Sequence, residues 1–361
     1  MLRAQIKKIL GSDSRLGLAI DVDFAADEGI TVLFGASGAG KTSILRTIAG
    51  IITPDQGKII LDNKTYFDSA AGINLPIQKR RVGYVFQNPS LFPHMTAEEN
   101  ALYGAKPAAH SSALAKVREL FAMLAIEKTA ARFPHELSGG EQQRIAMARA
   151  LASDPLIMLL DEPLSAVDEV TRSRLLGEIS DVQRRSAIPF LYVTHNHNEA
   201  LRLGDKMLVI DEGRILQEGT PIEIFNAPRS LPVARAVGTE NVFMCRVLSH
   251  KIEDGITSLI AGSCPMEAPY NGYALGSRVS VGIRSEDIII SCEQLLQTSA
   301  RNVLEGVIKN ILIETANAEV VVFCGADFKV SITPATVKAL DLQVGKKVFL
   351  LIKARAIHLL E

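Results

Sequence analysis

Residues 30–49 constrain this chain more than any other stretch. The apolar run Ile30 to Phe34 is followed by Gly35-Ala36-Ser37-Gly38-Ala39-Gly40-Lys41-Thr42 and then by Ser43 to Ala49. The order reads strand, glycine-rich turn, helix, and the turn matches G-x-x-x-x-G-K-[ST]. Three glycines let the backbone take conformations barred to other residues and come close to a phosphate. Successive N–H groups then form an anion nest, and the helix N-terminus adds the positive end of its dipole. Lys41 reaches β- and γ-phosphates as a point charge, and Thr42 offers a hydroxyl to Mg²⁺. A chance lysine in a glycine-rich turn is the bland alternative, and the flanking strand and helix argue against it.

The chain has 361 residues, enough for two or three domains. Its net charge of −1 carries no basic excess of the nucleic-acid-binding kind, and no nucleic acid partner is expected. Cys245, Cys264, Cys292 and Cys324 form no C-x-x-C pair, so buried free thiols are expected rather than zinc or a redox dithiol. Residues 1–10 carry Arg3, Lys7 and Lys8 without a long apolar run behind them, so no secretory signal is read. No apolar run approaches a membrane span. The expected location is cytosolic, with action on a membrane only through a partner.

Alternation in 2–9 and 18–24 predicts two antiparallel strands ahead of the central strand. Further strands are expected at 57–61, 82–86, 156–160 and 190–193, with helices at 98–103, 111–125, 141–152, 170–185 and 198–203. A hairpin is expected around Glu212-Gly213. Alternating helices and buried strands imply an α/β sheet. After about 238 the texture becomes short strands between Gly and Asp turns, with helix only at 334–340. The reading is a first domain at 1–235, with a helical part at about 88–155, and a β-rich domain at 236–361. Residues 228–238 read as a linker, and no short-period repeat stands out.

Two further motifs carry chemistry. Leu156 to Leu160 ends in Asp161-Glu162, two acids at the end of a buried strand, where α/β proteins bind ligands. Asp161 suits Mg²⁺, and Glu162 suits polarising a water. Ser138-Gly139-Gly140-Glu141 reads locally as a capping box. Two glycines in a first helical turn cost stability, which makes sense if the backbone must approach a second anion there.

With Gln87, Leu-Ser-Gly-Gly-Glu, Leu-Leu-Asp-Glu-Pro, Ser165-Ala166-Val167-Asp168 and His195 in this order, residues 1–235 resemble the ABC transporter ATPase family. The resemblance implies a P-loop NTPase fold that hydrolyses ATP with Mg²⁺ as a head-to-tail homodimer. Each ATP then sits between residues 35–42 of one subunit and Ser138, Gly139 and Gly140 of the other. It also implies two transmembrane permease subunits and an extracytoplasmic binding protein, with this chain peripheral on the cytoplasmic face of a bacterial inner membrane. It gives Gln87 a link between Mg²⁺, the attacking water and the membrane partner. Asp168 falls in a loop that communicates across the dimer, and His195 contacts the γ-phosphate. Leu91, Phe92 and Met95, just after Gln87, fit either ordinary core or a groove for a membrane-subunit helix. Family members carry an aromatic residue that stacks on adenine, and none occurs here between Ile9 and Ile20. Val167 stands where leucine is commoner.

The run Thr298-Ser299-Ala300-Arg301-Asn302 resembles the Ser-Ala-Arg-Asn motif of Mop-like molybdate-binding β-barrel domains, here at about 296–361. Ser299 and Arg301 suit a tetrahedral oxyanion such as molybdate or tungstate. A barrel turn in which Arg301 pairs with a carboxylate and Asn302 makes an Asx-turn is the alternative. Lys79 to Gln87 and Leu91 to His94 look closest to the molybdate importer ATPases, whose sulfate, iron and sugar relatives share much of the pattern. Non-transport ABC proteins usually carry two cassettes or a long coiled coil, and neither pattern occurs here.

Overall fold

The computed structural model of the chain describes residues 1–10, 18–105, 110–165, 167–295, 297–315 and 317–360. It falls into two compact units, Met1–Ile224 and Phe225–Glu361. The second unit thus begins before the boundary expected near 235.

The first unit is built on one sheet of eleven strands. These are β1 (Leu2–Leu10), β2 (Leu18–Ala26), β3 (Ile30–Phe34), β4 (Gln56–Leu61), β5 (Lys64–Asp68), β6 (Ile73–Asn74), β7 (Val82–Val85), β8 (Ile157–Asp161), β9 (Phe190–Thr194), β10 (Lys206–Asp211) and β11 (Arg214–Gly219). They lie in the order β6-β5-β4-β1-β2-β11-β10-β3-β9-β8-β7. The first two strands are antiparallel as expected, yet they belong to the same sheet as the central strand. The strands β10, β3, β9, β8 and β7 are parallel neighbours. Every residue of β3, β8 and β9 is buried, which is why they read as continuous apolar runs rather than alternating ones.

Helices connect these strands: α1 (Lys41–Ala49), α2 (Ala97–Tyr103), α3 (His110–Met123), α4 (Gly139–Ala152), α5 (Glu169–Ser186), α6 (His197–Leu203) and α7 (Pro221–Asn226). Helix α1 starts from the glycine-rich turn and ends at Gly50, whose φ of 88° suits a left-handed cap. A Cβ at Gly50 would also lie 2.8 Å from the Arg80 guanidinium. Arg80 is buried and donates to the carbonyls of Thr47 (3.0 Å) and Ile48 (2.9 Å) at the end of α1. It also donates to Leu75 O (2.8 Å) and Asn74 Oδ1 (3.0 Å). A guanidinium thus satisfies carbonyls left over at the negative end of the helix.

The second unit opens with helix α8 (Leu231–Ala236), capped by Ser230 and with Val233 and Ala234 buried. The segment expected to be a linker is therefore partly helical. Among the described residues ten strands follow: β12 (Asn241–Lys251), β13 (Ile256–Ala261), β14 (Cys264–Pro269), β15 (Arg278–Ile283), β16 (Ile289–Ser291), β17 (Asn302–Ile313), β18 (Ala318–Phe323), β19 (Asp327–Ile332), β20 (Lys347–Ile352) and β21 (His358–Leu360). The helix α9 (Pro334–Ala339) lies between β19 and β20. The sheets run β14-β13-β12-β15-β21 and β16-β20-β17-β18-β19. Sequence order therefore repeats itself: four strands, a single helical turn, a short fifth strand. The fifth strands are exchanged, β21 pairing with β15 and β16 with β20. One apolar cluster, including Val281, Val320 and Leu350, draws on both sheets.

The first residue of each half makes the same contacts. Asn241 donates to Ile283 O (3.2 Å) and Lys329 O (2.9 Å) and accepts from Lys329 N (2.6 Å). Asn302 donates to Ile352 O (3.2 Å) and Glu267 O (3.0 Å) and accepts from Glu267 N (2.6 Å). Each asparagine ties its own half to the other, so Asn302 is a buried bridge and not the Asx-turn considered above. The four cysteines are free thiols, and burial pushes Cys245 and Cys324 up to about 12 and Cys264 up to about 11.

Arg80→Met is expected to destabilise the chain by about 3 kcal/mol in urea unfolding, because several carbonyls lose their donor at once. Arg80→Lys should recover little of it, since one ammonium cannot reproduce the planar fork. Asn302→Ala should cost about 2 kcal/mol for the same reason, and an unchanged unfolding midpoint would refute the bridge.

Candidate functional site

Parallel alignment decides what meets at the sheet edge. Phe34 is level with Thr194, Asp161 with Val193 and Val85 with Leu160. The residues that follow β3, β7, β8 and β9 therefore emerge on one side. A cavity of 270 Å³ opens there, lined by Ser37, Gly38, Gly40, Lys41, Thr42 and Ser43 together with Leu18, Gln87 and Glu162.

The turn from Gly35 to Gly40 has the backbone that its composition predicts. A Cβ at Gly35 would collide with Ile210 O at 2.1 Å. Gly40 caps α1 with φ 103°, a left-handed conformation. The Ala39 side chain is buried, whereas Ala36 and Ser37 are exposed. Lys41 is only 4% exposed, and its Nζ donates to Gly35 O and Ala36 O, both at 2.7 Å. Burial lowers its pKa, while the Glu162 and Asp161 charges oppose that shift. A cation held by carbonyls at a cavity wall is poised to donate to a phosphate oxygen.

Asp161 is buried and accepts two hydrogen bonds. Thr42 Oγ1 donates to Oδ1 (2.7 Å) and the Tyr84 hydroxyl donates to Oδ2 (2.9 Å). Glu162, the next residue, has φ 44°, a strained value for a non-glycine residue and of the kind that collects at functional sites. Its Oε1 lies 3.2 Å from His195 Nδ1. A second cavity of 70 Å³ adjoins these two, lined also by Ser165, Arg172, Thr194 and Glu199. Glu199 is buried and supports the strand end below His195. It accepts from Thr194 Oγ1 (2.7 Å) and from the Tyr192 hydroxyl (3.0 Å), with Arg172 Nε at 3.6 Å. His197 packs edge-on against Phe34, ring centroids 5.3 Å apart.

A hydroxyl, a carboxylate and the Gln87 side chain make an oxygen donor set of the kind a small hard cation takes. Among the described residues no group of three or more His, Cys, Asp or Glu could hold a metal. The set is thus partial, and it suits Mg²⁺ completed by water and substrate phosphates.

Ser138, Gly139, Gly140 and Asp168 do not line either cavity. The capping box at Ser138 forms fully: Ser138 Oγ accepts from Glu141 N (3.3 Å), and Glu141 Oε2 accepts from Ser138 N (2.8 Å). The Ser138 hydroxyl and N–H hold the Glu141 carboxyl below its usual range. A Cβ at Gly139 would meet nothing within 4 Å, so packing inside this chain does not demand glycine there. Asp168 is exposed and caps α5, accepting from Thr171 N (3.0 Å). Ala166, within the same loop motif, lies outside the described residues.

The segment after Gln87 is clamped to its surroundings. Arg149 of α4 donates to Pro89 O (2.8 Å) and Ser90 O (2.9 Å). Asn100, fully buried, donates to Phe92 O (3.1 Å) and Met95 O (3.0 Å). Leu91, Phe92 and Met95 are each partly exposed rather than core.

In the second unit Ser299 and Arg301 are both exposed. The Arg301 Nε lies 3.8 Å from Glu267 Oε2, so the carboxylate pairing weighed as an alternative is present.

Sequence reasoning missed Leu18 and Tyr84. Leu18 gives the cavity an aliphatic wall, while residues 11–17, which contain no aromatic residue, lie outside the described residues. A tyrosine in a buried parallel strand was the available signal for Tyr84, since its hydroxyl needs a partner.

The ABC transporter family profile matches residues 19–165, and the TOBE domain profile matches residues 298–359. The molybdenum import ATP-binding protein ModC of Paramagnetospirillum magneticum is 36% identical over 94% of this chain and 94% of its own length. The ModC of Haemophilus influenzae is 35% identical over 98% of this chain and 99% of its own. Among solved structures, the dimeric ATP-binding cassette MJ0796 bound to ADP and Pi matches with a TM-score of 0.53 and 26% identity. That match covers 61% of this chain and 99% of the other. CbiO1 from Clostridium perfringens, part of an ABC transporter complex, matches with a TM-score of 0.54 and 26% identity, covering 62% and 90%. With near-complete coverage by such relatives, this chain belongs to the ABC transporter ATP-binding proteins, in the molybdenum import family.

Proposed function

We propose that the chain is the ATP-hydrolysing subunit of a bacterial molybdate importer. It acts as a head-to-tail homodimer docked on two permease subunits at the cytoplasmic face of the inner membrane. An extracytoplasmic binding protein delivers the anion. The observation that carries the ATPase reading is the convergence of Lys41, Thr42, Asp161, Gln87, Glu162 and His195 at one sheet edge. The cargo rests on relatives that match along nearly the whole chain.

In this reading the backbone of residues 35–42 and the Lys41 ammonium bind and orient the β- and γ-phosphates of ATP. Thr42, Asp161 and Gln87 hold Mg²⁺, which supplies charge neutralisation to those phosphates. Glu162 accepts a hydrogen bond from the attacking water and lines it up, and His195 orients the Glu162 carboxylate and meets the γ-phosphate. The Ser138 hydroxyl and the backbone of Gly139 and Gly140, open at Gly139, complete the nucleotide site of the partner subunit. Asp168 sits in the loop that crosses the dimer. Catalysis is then mostly positioning and charge stabilisation. In the second unit Ser299 and Arg301 take the oxyanion, which must displace Glu267 from Arg301, and oxyanion there slows the cycle.

Glu162→Gln is expected to lower phosphate release at least about 100-fold while ATP affinity stays within about threefold, because the lost group acts on water and not on binding. With ATP present, sedimentation of this variant should report a dimer. Turnover that persists in the variant would remove Glu162 from the water-positioning role.

Calorimetric titration of the full chain is expected to show heat with molybdate and tungstate but not with sulfate, and to lose it in Arg301→Ala. An absence of heat with every anion would take the oxyanion role from Ser299 and Arg301 and leave the ATPase reading standing.

A further inference from the structure

We propose that Tyr84 is a positioning residue for metal-dependent nucleotide binding: its hydroxyl holds the Asp161 carboxylate in place and ties it to the strand from which Gln87 emerges. The proposal rests on the reading of Asp161 as a metal-holding group.

A carboxylate at the end of a strand turns readily, because the torsion between a tetrahedral carbon and a planar group has broad minima. Among the described residues Asp161 receives two side-chain hydrogen bonds, one on each oxygen, from Thr42 and Tyr84. The two donors differ in kind. Thr42 opens α1 and lines the cavity, so its hydroxyl is the group that turns toward a cation there. Tyr84 is not a lining residue and stays on β7. It is the donor that remains when Thr42 exchanges partners.

The tyrosine is itself held. Its strand neighbour across β8 is Leu159, one step from the level of Leu160 and two from Asp161. Its ring packs on Phe86, two residues along the chain, with centroids 4.3 Å apart at an angle of 37°. A phenol keeps its proton at physiological pH, so Tyr84 remains a donor. Phe86 is followed directly by Gln87, which lines the cavity. One hydroxyl therefore fixes two donors of the partial cation set relative to each other, Asp161 directly and Gln87 through the strand that precedes it. A phenylalanine at 84 keeps the ring and its packing but removes that link.

The test uses the full chain and a fluorescent ATP analogue, titrated in EDTA and then with MgCl₂. Tyr84→Phe is expected to bind the analogue in EDTA within about twofold of the parent, yet to need about tenfold more Mg²⁺ for the half-maximal metal effect, the scale of one hydrogen bond to a charged group. Phe86→Leu, which keeps the hydroxyl and loosens the ring, should shift the Mg²⁺ requirement in the same direction by less. An unchanged Mg²⁺ requirement in Tyr84→Phe overturns the proposal. An equal loss of affinity in EDTA and in Mg²⁺ also overturns it, because it marks a merely structural role. If the parent protein itself binds the analogue without regard to Mg²⁺, the reading of Asp161 fails instead.

Discussion

Everything at the candidate site depends on four parallel strands ending at one edge. Parallel strands are spaced by backbone hydrogen bonding, so the residue after each strand is delivered at a fixed offset from its neighbours. Here the offsets put a glycine turn, a glutamine, an Asp-Glu pair and a histidine side by side. The strands are buried on both faces, which leaves their ends as the natural place for polar chemistry. A one-residue slip of β8 against β9 would turn Asp161 away from Thr42, and the uniformly apolar strands alone would barely resist it. The Asp161 hydrogen bonds to Thr42 and Tyr84 add a polar lock on that register.

Helix α1 works at both of its ends. Its first turn, after Gly40, lines the cavity with no side-chain cap, and its C-terminus presents carbonyls to Arg80. A cation at the negative end and an anion at the positive end complement the same dipole. Arg80 precedes β7 by two residues, so the strand carrying Tyr84 and leading to Gln87 is anchored to the back of the helix whose front lines the cavity. Glu199 does a comparable job below His195, gathering two hydroxyls from β9. These buried polar groups lie one layer behind the elements that line the cavity and hold them in place.

The groups gathered at the cavity were legible because chemistry forces residue types at fixed spacing along the chain. Glycine, lysine and threonine in 35–42, and the acids closing β8, sit within single short segments. Tyr84 and Arg80 were not legible as partners because their bonds connect residues far apart in sequence: Tyr84 to Asp161, Arg80 to Thr47. Part of the segment read as a linker, 228–238, is helical because Pro232 sits in the first turn of α8, where proline is tolerated. The halving of the second unit escaped notice for a different reason. Its two halves share strand order, the bulges at Val247/Ser249 and Ile308/Asn310, and the asparagines at 241 and 302. The side chains that fill the shared core differ, since a core demands volume and apolarity more than identity.

That repeat also bears on the oxyanion reading of Ser299 and Arg301. The asparagines hold corresponding places, but the residue before each one differs in charge: Glu240 in the first half, Arg301 in the second. Glu240 is engaged, accepting from Ser285 N at 3.0 Å. Arg301 faces Glu267, which also has Lys251 at 3.6 Å. A framework that is duplicated has therefore not kept a duplicated cation, and at this position an anion is favoured in the second half alone. If the proposed oxyanion does bind there, it must displace Glu267, and it gains only by offering Arg301 more than that partly buried carboxylate already does. Tetrahedral anions of equal charge then differ through size and hydrogen-bond geometry at Ser299 rather than through charge.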